Sequence, residues 1–429
     1  MRTQGFVRIA TSIVMMAAAV TNAFSAMPPQ TTRQSMTNYP LKSRNYASWS
    51  QHAEFDREEE TTTIVMKDTG TDLGYNLVSP REWLEYQEQE AAAAGNSGGG
   101  GAYTVLRCDL LADQTWRIWE KEFHWQRLCD SYNDLLTNNN EHDEDNNNNN
   151  AAAAAIVKTE NILSKLLDAA QTSLSITTSD DTTVVVGDDD TCCICMITLL
   201  WQNEQEKCVV RGHTFSTGVY LNPIEYDPQP ITASLATTTT ATTTLLSSSS
   251  SSKPIPNRYD NKPRSKLSSW CRTRRPLEER FKNDESSVGE VLLMMRNDDD
   301  GTTELLEGLT SNVFVLYSNG TLVTPAEGML EGCARNQVLC HARALGYKVK
   351  CAPIRLDSSV DQWEEVFCTS AIRLIIPVNK IVQLGGNEGE EVVWQCQRKP
   401  RKWRVLYNSI MMEALGVTET RSFCLRGMN

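Results

Sequence analysis

The chain has no apolar run long enough for a confident membrane span, no recurring cysteine spacing and no excess of positive charge. Its first apolar stretch, residues 9–20, falls short of the roughly 20 residues that cross a bilayer. Thirteen cysteines scattered over 429 residues do not make the framework of a small secreted domain, which favours a reducing compartment. Cys192, Cys193 and Cys195 read as ordinary strand cysteines, and Cys208 is too isolated to complete a zinc pattern, so no metal is expected. A net charge of −13 argues against a general nucleic-acid surface, although local positive charge can still receive a phosphate. The glycines of GHTFSTG, residues 212–218, do not match a dinucleotide fingerprint, so a doubly wound nucleotide fold is not expected and His213 is only a weak candidate base.

What is present begins with a length and a 40% hydrophobic content that can support two domains. Arg2 and Arg8 precede the apolar stretch, and small residues around Ala23 to Ala26 supply a cleavage site, so residues 1–26 read as a signal peptide. Residues 27–53 contain Arg33, Lys42 and Arg44 but no Asp or Glu, the composition of a transit peptide, assigned to 27–60. The segment Asn22 to Met27 is similar to the phenylalanine-containing cleavage region of plastid preproteins in diatoms and related algae. Plastid import is therefore expected, with the secretory pathway and the mitochondrion as alternatives. No stable membrane span is expected after processing.

Low-complexity tracts at 90–100, 138–155 and 234–252 read as insertions outside the core, because they offer little apolar area against the entropy of ordering them. The first folded domain is placed at 71–257 and the second at 258–429. Ser79 to Gln89 predicts a helix after a proline start, Ala102 onward a strand, and the spacing of Trp116, Trp119, Phe123, Leu128, Tyr132 and Leu135 a helix whose aromatics face a core. Residues 290–324 read as successive antiparallel strands separated by RNDDDG and YSNG turns. Trp394 to Trp403 reads as a solvated basic turn, and Ser409 to Leu415 as a short final helix.

Two residues suggest chemistry. Lys266 offers an amine that can condense with an aldehyde, and Glu307, ahead of Gly308, offers a carboxylate that can keep a ring nitrogen protonated. Taken alone, a lysine in a polar segment is as readily a solvated charge, and Arg127 a helix-surface charge.

Four segments in order sharpen this: KLSSWCRTRRPLE from Lys266, EGLTSNVFVLYSNGTLVTP from Glu307, MLEGCARNQVL from Met329 and EEVFCTSAIRLIIPV from Glu364. Over residues 75–429 the chain resembles the fold-type IV pyridoxal-phosphate-dependent aminotransferases, the superfamily of branched-chain and D-amino acid aminotransferases and aminodeoxychorismate lyase. The resemblance is weak between about 137 and 257.

It implies an α/β (α+β) fold of two domains with the cofactor, pyridoxal 5'-phosphate, in the interdomain cleft of a homodimer. Lys266 would be the catalytic lysine, and Glu307 the partner of the pyridine nitrogen. Arg127, within FHWQRLCDSY, matches the arginine that reaches the cofactor phosphate, which a guanidinium fork suits; His124 nearby is either part of the site or structural. Gly332 precedes a helix whose N–H groups at Cys333 and Ala334 would cradle the phosphate. Two departures stand out: Ala334 replaces a frequent hydroxyl residue, and Ser370 and Ala371 fall where glycine and threonine are common. Thr369 and Ser370 are the candidate substitutes. Asn312 is expected to be architectural, Arg335 to close the turn, meet a carboxylate or form a structural ion pair, and Arg373 is the candidate for recognising an acidic substrate. The implied reaction moves an amino group between small-molecule amino acid and 2-oxo acid substrates. Aminodeoxychorismate lyase and a low-turnover cofactor-binding homologue remain the alternatives.

Overall fold

The computed structural model describes residues 63–67, 72–73, 80–93, 100–111, 115–137, 148–176, 192–204, 207–221, 228–238, 265–283, 288–296, 301–356, 359–385, 389–397 and 402–414. All of these lie within one compact unit, Gln51–Asn429. The leader assignments 1–26 and 27–60 lie outside the described residues.

The first half builds an antiparallel six-stranded sheet ordered β2-β1-β6-β5-β3-β4. Its strands are β1 (Thr63–Lys67), β2 (Asp72–Leu73), β3 (Ala102–Leu110), β4 (Trp116–Ile118), β5 (Cys192–Glu204) and β6 (Lys207–Leu221). Three helices accompany it: α1 (Pro80–Ala93), α2 (Lys121–Thr137) and α3 (Asn148–Ile176). Alternate residues of β3 point to opposite sides. Ala102, Leu106 and Cys108 meet Trp125, Leu128 and Tyr132 of α2 and Leu163 and Leu166 of α3, while Tyr103 and Val105 pack with Trp83, Leu84 and Cys271. Cys195 belongs to the first of these cores, its Sγ 2.8 Å from Thr214 Oγ1.

The second half is a ten-stranded mixed sheet ordered β12-β11-β10-β14-β15-β7-β8-β9-β13, with β16 added to β15. Its strands are β7 (Ile231–Thr238), β8 (Val288–Arg296), β9 (Thr303–Gly308), β10 (Asn312–Tyr317), β11 (Thr321–Thr324), β12 (Lys348–Cys351), β13 (Ile354–Arg355), β14 (Trp363–Ser370), β15 (Leu374–Gly385) and β16 (Gly389–Gln395). Helices α4 (Ser269–Asn283), α5 (Cys333–Ala344) and α6 (Lys402–Ala414) complete it. Phe314 and Phe367 stack with centroids 5.1 Å apart beneath α5 and α6, a pairing worth about 0.5–1.5 kcal/mol beyond burial. On the opposite face Val313, Val315, Cys368, Val378 and Trp394 form a separate core.

Several boundaries differ from the sequence reading. Strand β1 precedes residue 71 yet pairs with β6. Strand β7 precedes residue 258 yet lies between β8 and β15, parallel to both, so sheet membership changes at Ile231 and not after 257. Part of each supposed insertion is ordered into the fold: Ala91 in α1, Ala155 in α3 and Ser234 to Ala236 in β7 are buried. Trp394 and Trp403 are buried as well, one in β16 and the other in a helix that starts at Lys402, so 394–403 is not a solvated turn. Among the described residues no helix is long and apolar enough to cross a membrane.

Candidate active site

Helix α2 presents a polar stripe at 124, 127, 131 and 134, positions that share one helical face. Each member meets a different partner along the seam between the two sheets. Thr104 Oγ1 of β3 is 2.6 Å from His124 Nδ1. The Arg127 guanidinium, lying over the Phe123 ring at 4.5 Å, donates to the carbonyl of Glu331. Ser131 Oγ accepts from the Lys266 backbone N–H at 2.9 Å, and Asp134 accepts from the Ser265 hydroxyl.

Lys266 therefore sits in a fixed backbone. Residues 266–268 run along the edge of β3: Tyr103 N–H donates to Lys266 O at 2.9 Å, Ser268 N–H to Gly101 O at 2.9 Å, and Leu267 bridges Ala102. Ser268 Oγ ties this segment to buried Glu88 at 2.6 Å, whose carboxyl burial pushes up in pKa against the lowering effect of that bond. The Lys266 ammonium lies 4.9 Å from the centre of the Tyr103 ring, a cation–π approach.

Glu307, at the end of β9, is 2% exposed, and its Oε2 accepts from Leu330 N–H at 2.9 Å. Asn312 Nδ2 donates to Leu330 O at 2.6 Å, the architectural role expected of it. Thus segment 329–332 is gripped by Glu307 and Asn312 from the second sheet and by Arg127 from α2, immediately before α5 begins. Gly332 is obligatory here, because a Cβ would overlap Asn312 Oδ1. The N-terminus of α5 has no side-chain cap, so the first N–H groups, at Cys333 and Ala334, are available to an anion.

The electrostatics mark a shared cationic site. Burial, then Arg127 and Lys266, hold the His124 imidazole well below its ordinary range. Burial raises the Cys333 thiol while the same two cations oppose that shift. Thr369 Oγ1 is buried and has no hydrogen-bond partner among the described residues. Its neighbour Ser370 differs: Ser370 Oγ accepts from Arg373 N–H at 3.3 Å. An uncapped helix start, a cradle that tolerates no Cβ, two cations and unmet polar atoms fit a phosphorylated ligand.

The remaining candidates have partners of their own. Arg373 Nη2 is 3.8 Å from Glu290 Oε2, and Glu290 also accepts from Thr310 and Ser311 at 3.0 and 2.7 Å. Cys368 shares this corner, where burial first and then Glu290 push its thiol up to about 12. Arg335 is buried and donates to Pro325 O at 2.9 Å, closing the turn ahead of α5. His213 stacks on Trp83 within the first half, with centroids 5.2 Å apart.

One buried charged pair escaped the sequence reading. Arg107 pairs with Asp109 at 2.8 Å, and its Nη1 donates to Ile372 O at 3.0 Å in the β14–β15 turn. Asp109 also accepts from Trp119 Nε1 at 2.7 Å. Leu374 ends this turn at φ 56, a left-handed backbone that a buried leucine adopts only under surrounding restraint. Opposite charges two apart in an otherwise apolar strand share a face, and that was the available signal.

Comparisons with known proteins bear on the family and the fold. Residues 232–381 match the family model described as amino-transferase class IV. No curated protein matches. Among solved structures, a T.th. branched-chain amino acid aminotransferase in complex with N-(5'-phosphopyridoxyl)-L-glutamate is similar with a TM-score of 0.51 at 14% identity, covering 84% of this chain and 97% of that one. The apo form of a hypothetical aminotransferase from Mycobacterium tuberculosis is similar with a TM-score of 0.50 at 15% identity, covering 83% and 100%.

Proposed function

We propose, from the premise that residues 232–381 are an amino-transferase class IV domain in a fold-type IV architecture, that this enzyme moves an amino group between an amino acid and a 2-oxo acid with pyridoxal 5'-phosphate as cofactor. The observation that carries the reading is the segment 329–334: Glu307 grips Leu330, Arg127 grips Glu331, and the uncapped start of α5 follows at once.

Arg127 and the N–H groups of Cys333 and Ala334 would hold the phosphate, with Thr369 Oγ1 as a further donor. The Glu307 carboxylate would hold a proton on the pyridine nitrogen while keeping its backbone contact to Leu330. When bound, the cofactor supplies an electron-accepting ring. Lys266 would hold the cofactor through its amine and, once substrate has taken its place, would move the proton at the substrate Cα. The Lys266 backbone is fixed by Tyr103 and Ser131, so the amine swings from a rigid base. Arg373, half-turned toward Glu290, is the group that would meet a second carboxylate of an acidic substrate.

The test is a product screen of the cofactor-supplemented protein across amino donors, branched-chain ones included, and 2-oxo acid acceptors. Expected is one 2-oxo acid formed for each amino acid formed. Pyruvate and 4-aminobenzoate from aminodeoxychorismate, with no acceptor required, would reassign the reaction to the lyase. Bound cofactor with neither outcome would assign a low-turnover binding protein.

Homodimerisation is proposed with this reading and is checked by sedimentation; a monomer at working concentration refutes it. Plastid delivery by residues 1–60 is proposed from their composition, and a fluorescent reporter fused to them that stays reticular or is secreted would exclude it.

A further inference from the structure

His124 heads the polar stripe of α2 and is 1% exposed. Thr104 Oγ1 lies 2.6 Å from its Nδ1, and the Thr104 hydroxyl has no other acceptor among the described residues. The hydroxyl therefore donates, Nδ1 accepts, and the ring proton sits on Nε2. That Nε2–H is buried with no partner among the described residues. A buried unmet donor costs about 1–3 kcal/mol, so a bound acceptor at this N–H would be favoured.

The surroundings indicate what completes it. Arg127 follows three residues later on the same helical face and reaches Glu331, one residue before Gly332 and two before the start of α5. Lys266 acts electrostatically on the same imidazole. Burial and these cations keep the ring neutral, so it adds a hydrogen bond without a third positive charge. Resting on the cofactor reading above, we infer that His124 Nε2–H donates to the phosphate monoester of the cofactor alongside Arg127. Thr104 is then a positioning residue that fixes the tautomer.

The two amide substitutions separate this from a structural role. Gln places an N–H near the former Nε2, and Asn places one near the former Nδ1. Dissociation constants are measured on the full chain for pyridoxal 5'-phosphate and for pyridoxal, which lacks the phosphate. His124→Gln should stay within about threefold of wild type for both, whereas His124→Asn should lose roughly tenfold or more for the phosphorylated compound only, the size of a hydrogen bond to a charged group. Equal losses for both compounds, or a weaker Gln than Asn variant, would overturn the assignment. Should the variants fail to fold, the ¹⁵N resonance of His124 Nε2 in the wild-type chain decides: it must move on saturation with pyridoxal 5'-phosphate, and an unmoved resonance overturns the assignment. A wild-type chain that binds pyridoxal 5'-phosphate normally while this resonance stays fixed refutes the histidine contact alone. One that binds neither compound refutes the cofactor reading and this contact with it.

Discussion

Thr369 stands directly opposite Asn312 in the β10–β14 ladder, yet only Asn312 has its side chain met, by Leu330 O. Both lie on the sheet face that carries Phe314 and Phe367 toward α5, because side chains alternate along each strand. Thr369→Val keeps the shape and removes the hydroxyl. It should weaken pyridoxal 5'-phosphate binding roughly tenfold, the value of a hydrogen bond to a charged group. Ser370→Ala should change it less than about threefold, because that hydroxyl already serves Arg373 N–H. Equilibrium dialysis measures both, and equal effects would show that the hydroxyl of Thr369 has no special role.

Lys266 and Glu307 should separate binding from turnover. Lys266→Ala should abolish the visible absorbance of covalently held cofactor and lower turnover by roughly 10²–10⁴ or more, the range of a positioned acid–base group. Glu307→Gln keeps an oxygen for Leu330 N–H but removes the charge, so cofactor uptake should persist while turnover falls. Absorbance titration beside a product assay reads both. A Glu307→Gln enzyme with wild-type turnover would remove the proposed role of that carboxylate.

Arg107 and Asp109 are both buried. Arg107→Met should leave Asp109 without its charged partner, with only Trp119 Nε1 donating to it, and destabilise the fold by about 3–5 kcal/mol. It also frees the Ile372 carbonyl and with it the turn leading to Leu374. The double variant Arg107→Met/Asp109→Leu should recover part of that loss, because no lone buried charge remains. Denaturant melts of the two variants check the order, and a double variant less stable than the single would contradict it.

Acid sensitivity should come from buried histidines. Burial lowers both His124 and His341, the latter against the opposing pull of Glu413. The unfolded imidazoles take up protons at their ordinary value near 6.5, while the folded ones resist. Stability from these groups is therefore full above that value and is lost as pH falls from it toward the folded values. Melting temperatures from pH 7 downward, on a scale of about one unit per step, should decline, and His341→Gln should flatten the decline.

Much of the second sheet was legible because EVLLMM, TELLEG and NVFVLY are short apolar strands set off by turn residues. Phe123, Leu128, Tyr132 and Leu135 marked α2 for the same local reason, but Trp116 and Trp119, read into that helix, lie in β4 and in the turn after it, because a period of three or four residues does not reveal where a short strand gives way to a helix. Strand β7 was not legible: ITASLATT is rich in small residues and threonine, and its burial comes only from parallel partners β8 and β15. Arg373 was readable as a charge but not as the partner of Glu290, because 83 residues of chain separate them (373 − 290). Lys266 and Glu307 were singled out by motif order, and Arg127 by its place in FHWQRLCDSY. The grip of Glu307 and Arg127 on adjacent residues 330 and 331 is a tertiary fact that no local pattern encodes.

Trp119 leaves the first sheet at the end of β4, just before a left-handed Glu120 at φ 47, and buries its ring among Phe314, Phe367, Leu374 and Tyr407. Its pocket is therefore built from residues that leave the ribosome up to 288 positions later (407 − 119). At a synthesis rate of about 5–20 residues per second, this indole waits for tens of seconds on a nascent chain. During that interval the first sheet can assemble its own core of Leu106, Leu128 and Trp201, but it carries an unburied tryptophan for a chaperone to shield.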